Sequence, residues 1–172
     1  MEFNELVQAR RSIRDFAPSD VSQEDVLQIL TAAQAAPSGG NMQPWHFYVV
    51  RSPKVKQAFY DTCCQQSTML SSAVLIIVVA DIERSGSKYS DRGRTLYCLQ
   101  DTAAAIQNML LCAKGLGLGT CWCGAFDEDA ARKILGVPNE MRPVAIIPIG
   151  VPAVEPASRG RRPLAEIVTF ID

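Results

Sequence analysis

The chain has 172 residues, 48% of them hydrophobic and 20% charged, with a formal net charge of -1. That balance fits one domain over residues 1–172 with a sizeable core. It excludes the broad basic field that a nucleic-acid partner requires. The most apolar run, Ala73–Ala80, is too short to span a bilayer, and the opening MEFNELVQARR holds no apolar signal core. A cytoplasmic protein with no membrane partner is expected.

In chain order, Phe3, Leu6 and Val7 recur at helical spacing and predict a short helix over Phe3–Arg11. Ser12–Pro18 leaves it extended, because a residue before proline avoids the helical region. Ser22 is a good N-cap for a helix with Val26, Ile29, Leu30 and Ala33 on one face, which stops at the breaker cluster Pro37-Ser38-Gly39-Gly40. Phe47–Val50 reads as a strand. Ser52-Pro53 opens a helix through Val55 and Phe59 towards Cys63. Ala73–Ala80, continuously apolar and rich in β-branched residues, predicts a central strand covered on both faces. Asp81–Arg94 reads as a polar linker. Asp101–Gly115 is a long helix striped by Ile106, Met109, Leu110 and Ala113, followed by a glycine-punctuated turn and short strand over Leu116–Gly124. Asp127–Leu135 is a small helix stopped by Gly136, and Val144–Ile149 is a further strand. The tail from Pro163 alternates as LAEIVTFI and is strand-like, either folding back or adding an edge strand to a partner subunit. About four or five strands with helices between them give an α+β or three-layer α/β domain.

Two segments carry most of the chemistry. Arg10, Arg11, Ser12 and Arg14 gather three guanidiniums and a hydroxyl at a helix exit, a donor set suited to a phosphate or a carbonyl-rich ring edge. A solvated basic helix end explains the same letters. Pro37-Ser38-Gly39-Gly40-Asn41-Met42-Gln43-Pro44-Trp45 is sharper. Its glycines permit close backbone approach, and Asn41 and Gln43 both donate and accept, as a heteroaromatic edge requires. The plain alternative is a turn with a core tryptophan. Gly124 and Ala125 offer backbone N–H groups to one ring atom, and Arg159, Gly160, Arg161 and Arg162 can enclose a phosphate or form a solvated linker.

No catalytic side-chain set appears. His46 is the only histidine, and it reads as facing the core or a subunit boundary. There is no G-x-S-x-G elbow, and Gly115-Leu116-Gly117-Leu118-Gly119 follows a helix, the wrong context for a dinucleotide turn. Six cysteines form no paired CxxC knuckles, so no metal is expected and the thiols read as structural. A cofactor that carries its own reaction fits such a chain, because the protein then needs only to orient and tune it.

The stretches RRSIRDF (Arg10–Phe16), APSGGNMQPWHFYVV (Ala36–Val50), LQDTAAAIQNMLLCAKGLGLGTCW (Leu99–Trp122) and IGVPA followed by SRGRRPLAEIV resemble, in that order, the nitroreductase family of FMN-dependent NAD(P)H oxidoreductases. The resemblance covers essentially the whole chain and implies an α+β, three-layer fold. It implies a central, mostly antiparallel sheet flanked by helices, and a C-terminal segment exchanged within a homodimer with FMN at the interface. It places Arg10, Arg11, Ser12 and Arg14 at the FMN phosphate, ribityl chain and pyrimidine edge, with Arg14 as the charge that steadies the reduced ring. Pro37, Ser38, Gly39, Asn41 and Gln43 would border the ring, partly across the dimer. Gly124 and Ala125 would approach flavin N5 by backbone, and Arg159 and Arg161 would close on the phosphate, with Arg162 as a stand-in. It implies ping-pong reduction of nitroaromatics, quinones or related small-molecule acceptors by NADH or NADPH. A flavin carrier or sensor without turnover, and a cysteine-based redox protein using Cys121 and Cys123, remain the competing readings.

Overall fold

The computed structural model describes residues 2–171. Helix α1 (Phe3–Ala9) opens on a capping box in which Glu2 and Glu5 satisfy each other's backbone N–H groups. It ends at Ala9, two residues earlier than the periodicity suggests, and buries none of its side chains. Helix α2 (Gln23–Gln34) starts where Ser22 Oγ accepts from Asp25 N at 2.9 Å, and it buries Val26, Ile29 and Ala33. Strand β1 (Trp45–Val50) begins two residues before the expected Phe47. Helix α3 (Pro53–Thr62) carries proline at its first position, where the missing N–H costs nothing. A single turn, α4 (Thr68–Ser71), precedes strand β2 (Val74–Asp81).

The predicted polar linker after β2 is instead helix α5 (Ile82–Arg92). Asp81 caps it by accepting from Arg84 N at 2.9 Å, and Glu83 pairs with Arg94 at 2.9 Å. The segment looks like a loop in sequence because only Ser85 and Gly86 are buried, so no apolar stripe marks it. A wider turn over Gly93–Tyr97 leads into α6 (Cys98–Gly115), which begins a turn earlier than Asp101. Strand β3 (Gly119–Thr120), helix α7 (Glu128–Leu135) and strand β4 (Met141–Gly150) complete the domain. Asp127 caps α7 and Gly136 ends it in the left-handed region, as its position predicts.

The four strands lie in the order β1-β2-β4-β3, with every neighbouring pair antiparallel. Every residue from Val74 to Ala80 is fully buried. Their alternation divides the core. Val74, Ile76 and Val78 pack with α2 and α6, while Leu75, Ile77 and Val79 pack with α3 and α7. The result is helix, sheet, helix: three layers built by one two-sided apolar strand. Between β2 and β4, Val78 faces Ala145 and Val79 faces Pro143, so Val144 is the extra residue of a bulge.

The tail departs from its strand-like pattern. It forms one tight turn at Leu164–Glu166 and is otherwise irregular. Phe170 is 88% and Ile171 92% exposed, with Leu164, Ile167 and Val168 also uncovered. The tail pairs with neither edge strand of the sheet, so its alternation has no ladder to stabilise it.

Candidate functional site

The segment after α1 is pinned to the sheet from below. Ile13 N donates to Thr120 O at 2.8 Å, and Ile13 and Phe16 are buried. The side chains of Ile13 and Phe16 lie against Gly119 and Gly150. A Cβ on Gly119 would meet the Ile13 side chain at 2.8 Å, and one on Gly150 would meet the Phe16 ring at 2.8 Å. Both glycines are therefore required by close approach. With Ile13 held inward, its neighbours Ser12 and Arg14 turn to the opposite side, as an extended chain alternates.

There they line a cleft of about 160 Å³ with Arg10, Arg11, Pro156, Ala157, Arg159 and Arg161. Five guanidiniums and a hydroxyl thus come from two segments about 145 residues apart in the chain. Among the described residues, none of the five pairs with a carboxylate within 4 Å. Arg11 bonds only the carbonyls of Gln8 and Arg10, and Arg161 those of Arg159 and Gly160. Like charges held together repel one another and favour an anion. Arg162 is not part of this cleft; it pairs with Glu166 at 3.3 Å.

Arg14 also lines a second, larger cleft of about 490 Å³, with Cys121, Trp122, Cys123, Gly124 and Ala125 on one side and Gln65, Gln66, Ser67 and Thr68 on the other. The two clefts are continuous in residues through Arg14. Thr68 Oγ1 is buried here without a hydrogen-bond partner. Gln65–Thr68 are not legible as site residues in the sequence, because a polar turn at a helix end carries no ligand signature of its own. The neighbouring Cys123 thiol lowers the Cys121 thiol, against the opposing effect of burial, and the charges of Arg14 and Arg10 and the Ser12 side chain lower it further. Cys123 is pushed up by that neighbour and by burial.

The loop Pro37–Gln43 lies elsewhere. Neither cleft is lined by Pro37, Ser38, Gly39, Asn41 or Gln43. The loop is nonetheless built with care. Gly39 N donates to Asp101 Oδ1 at 3.0 Å and Gln43 N to Ser38 Oγ at 2.9 Å. Asn41 and Gln43 both adopt left-handed backbone, with φ of 58° and 50°. Residues with a Cβ hold that conformation only where their surroundings impose it. Asp101 is buried, its Oδ2 lacks a partner, and burial raises its carboxyl above the usual range. His46 is exposed on β1 and stacks edge-on against Tyr48 at 4.9 Å, so it does not face the core.

The described residues contain no cluster of three or more potential metal ligands, and no helix among them is long and apolar enough to cross a membrane.

The nitroreductase family model matches residues 7–68 and 61–151. A relative from Archaeoglobus fulgidus with the provisional name NADH dehydrogenase/NAD(P)H nitroreductase is 34% identical over 154 residues, covering 87% of this chain and 85% of the relative. A solved nitroreductase family protein from Clostridium novyi NT is 34% identical with a TM-score of 0.81, over 88% of this chain and 86% of that one. Another, from Clostridium difficile 630, is 28% identical with a TM-score of 0.87, over 99% and 98%. Match, identity and fold agree over nearly the same span, and the chain belongs to the nitroreductase family.

Proposed function

We propose that the protein is an NAD(P)H-dependent oxidoreductase that holds FMN across its two joined clefts. The family uses FMN with NAD(P)H as electron donor. The observation that carries the reading for this chain is the set of five guanidiniums without carboxylate partners among the described residues around one small cleft, next to a larger cleft that shares Arg14. The residues fit the cofactor. Arg10, Arg11, Ser12, Arg159 and Arg161 would hold the phosphate. Arg14 stands between phosphate and ring positions as the charge that favours an anionic reduced ring. The backbone of Gly124 and Ala125 borders the ring cleft. Bound FMN would supply the hydride chemistry, accepting from NADH or NADPH and giving to nitroaromatics, quinones or related acceptors in alternation.

The same proposal includes a homodimer. Loop Pro37–Gln43 is rigidly made yet lies apart from the clefts of its own chain, which suits a loop that serves the partner's flavin. Phe3 and Val7 on α1 and the tail from Leu164 to Ile171 are exposed apolar groups in need of cover. Exchange of the tail between subunits would cover them. The phosphate cleft is tested by titrating FMN and riboflavin in parallel by flavin fluorescence. Riboflavin, which lacks the phosphate, is expected to bind at least about 100-fold more weakly, the loss of two or so charge-assisted bonds. Equal affinity would remove the arginine cleft from the account.

A further inference from the structure

Helix α5 carries a second set of cations, and none of them lines either cleft. Arg84 and Lys88 stand one turn apart on one face, about 6 Å along the axis. Both fold back over the loop Pro37–Gln43. Arg84 Nε donates to Met42 O, and Lys88 Nζ donates to Gly40 O at 3.5 Å. Lys88 Nζ also lies 5.6 Å from the centroid of the Tyr89 ring. Ser90, with φ of 51°, interrupts the helix, yet Arg92 returns to the same rim. Its Nε donates to Tyr97 Oη at 3.1 Å, with the guanidinium 5.4 Å from that ring's centroid. Tyr89 and Tyr97 meet edge to face at 5.0 Å, beside Gly39. Gly40 has φ of 56°, and a Cβ there would come within 2.5 Å of Lys88 Nζ. That glycine is therefore needed both for the turn and for the place of the ammonium. Among the described residues, none of the three cations has a carboxylate within 4 Å, although all three are exposed. A solvated basic face spreads its long side chains into water. These are drawn back onto carbonyls and ring faces along one rim.

We propose that Arg84, Lys88 and Arg92 hold the phosphates of the electron donor and select the 2′-phosphate of NADPH over NADH. This rests on the reading above, in which loop Pro37–Gln43 serves the partner's flavin. The nicotinamide must lie against the flavin ring, so the rest of the donor extends past the loop that borders the ring. The cations on that loop's rim are these three. The flavin phosphate already has five guanidiniums in the small cleft, which leaves the α5 set for a second phosphate-bearing molecule. The diphosphate common to both donors carries about two negative charges, and a 2′-phosphate adds about 1.5–2 more near neutral pH. Three cations exceed what the diphosphate neutralises and suit the additional group. Two guanidiniums supply planar forks and Lys88 a point charge, and both kinds bind phosphate.

The test is calorimetric titration of the full chain, saturated with FMN so that the small cleft is filled. Adenosine 2′,5′-bisphosphate and adenosine 5′-monophosphate are titrated in parallel. The bisphosphate is expected to bind at least about 10-fold more tightly, the low end for charge-assisted bonds to phosphate. Arg84→Gln combined with Lys88→Gln should abolish that difference and leave FMN affinity unchanged. Lys88→Gln alone should reduce it, and Lys88→Arg should keep it. Lys54→Gln, which removes an exposed cation on α3, should behave as wild type. In turnover, the double variant should raise KM for NADPH about 10-fold more than KM for NADH, with kcat unchanged. Equal binding of the two nucleotides by wild type, or a preference that survives in the double variant, would show a solvated face only and overturn the proposal. A loss matched by Lys54→Gln would reduce the effect to net charge and overturn it too. FMN titration is read first. If no FMN binds, the flavin reading fails on its own, and the same nucleotide titration on Arg10→Ala, with its small cleft weakened, still decides this one.

Discussion

Arg10 tests the physical logic of the small cleft. It is half-buried, lines the cleft, and has no carboxylate within 4 Å among the described residues. In Arg10→Ala the folded chain loses no ion pair and sheds one of five crowded like charges. Thermal unfolding of FMN-free protein should therefore be unchanged or slightly raised. FMN binding loses a charge-assisted bond to a phosphate, about 1.5–3 kcal/mol, which is about 10- to 150-fold in dissociation constant. The loss should shrink as salt is added, since part of it is exposed electrostatics. Arg161→Ala should weaken FMN less, its side chain being exposed. Arg162→Ala should leave FMN binding untouched, because that guanidinium is engaged with Glu166. Fluorescence titration with matched melting curves decides. An FMN-free melting temperature that falls as much as the FMN-loaded one would show that Arg10 is structural and refute the reasoning.

Gly119→Ala drives a Cβ to within 2.8 Å of the Ile13 side chain, and an overpacking cost of about 1–3 kcal/mol should appear in urea unfolding, with weaker FMN binding as Ser12 is displaced. Asp101→Asn keeps an acceptor for Gly39 N and removes a buried charge. Burial raises the Asp101 carboxyl above its unfolded value of 3.8, so its ionisation costs stability as pH rises through the folded value. The variant should be more stable than wild type at neutral pH, and the difference should close as pH falls towards 4, read from melting curves over that range. Asp101→Ala should instead be destabilised, by about 1–3 kcal/mol for an orphaned Gly39 N–H. Removing residues 164–172 should leave the circular dichroism of the domain intact and shift sedimentation from dimer to monomer; an unaltered dimer would remove the tail from the interface.

Much of the layered core is legible in the sequence. Ala73–Ala80 announces a strand apolar on both sides, and two-sided burial at once requires helices above and below. Ser22, Asp127 and Gly136 mark helix ends because capping is local chemistry. Helix α5 was hidden, since its contacts are made by Ser85 and Gly86 and its ion pair with Arg94, none of which produces a hydrophobic period. The tail shows the opposite failure. LAEIVTFI has a strand's alternation, but a strand needs a neighbouring edge, and the tail joins none of the sheet's edges within its own chain. At the site, Arg10, Arg14, Arg159 and Arg161 were readable as an anion set, and the fold joins them. Gln65, Gln66 and Thr68 were not, because their place in the second cleft follows from the packing of α4 beside Cys123. The separation of Pro37–Gln43 from both clefts was not readable either, because it depends on where the folded loop falls relative to segments distant in the chain.

The most direct measurement is an anaerobic absorbance spectrum of the purified protein, reconstituted with FMN, before and after NADH and then NADPH. The account predicts a retained flavin band that bleaches with at least one of the two and returns when a quinone or nitroaromatic acceptor is added. A chain that retains no FMN, or a bound flavin that neither nucleotide reduces, would contradict it.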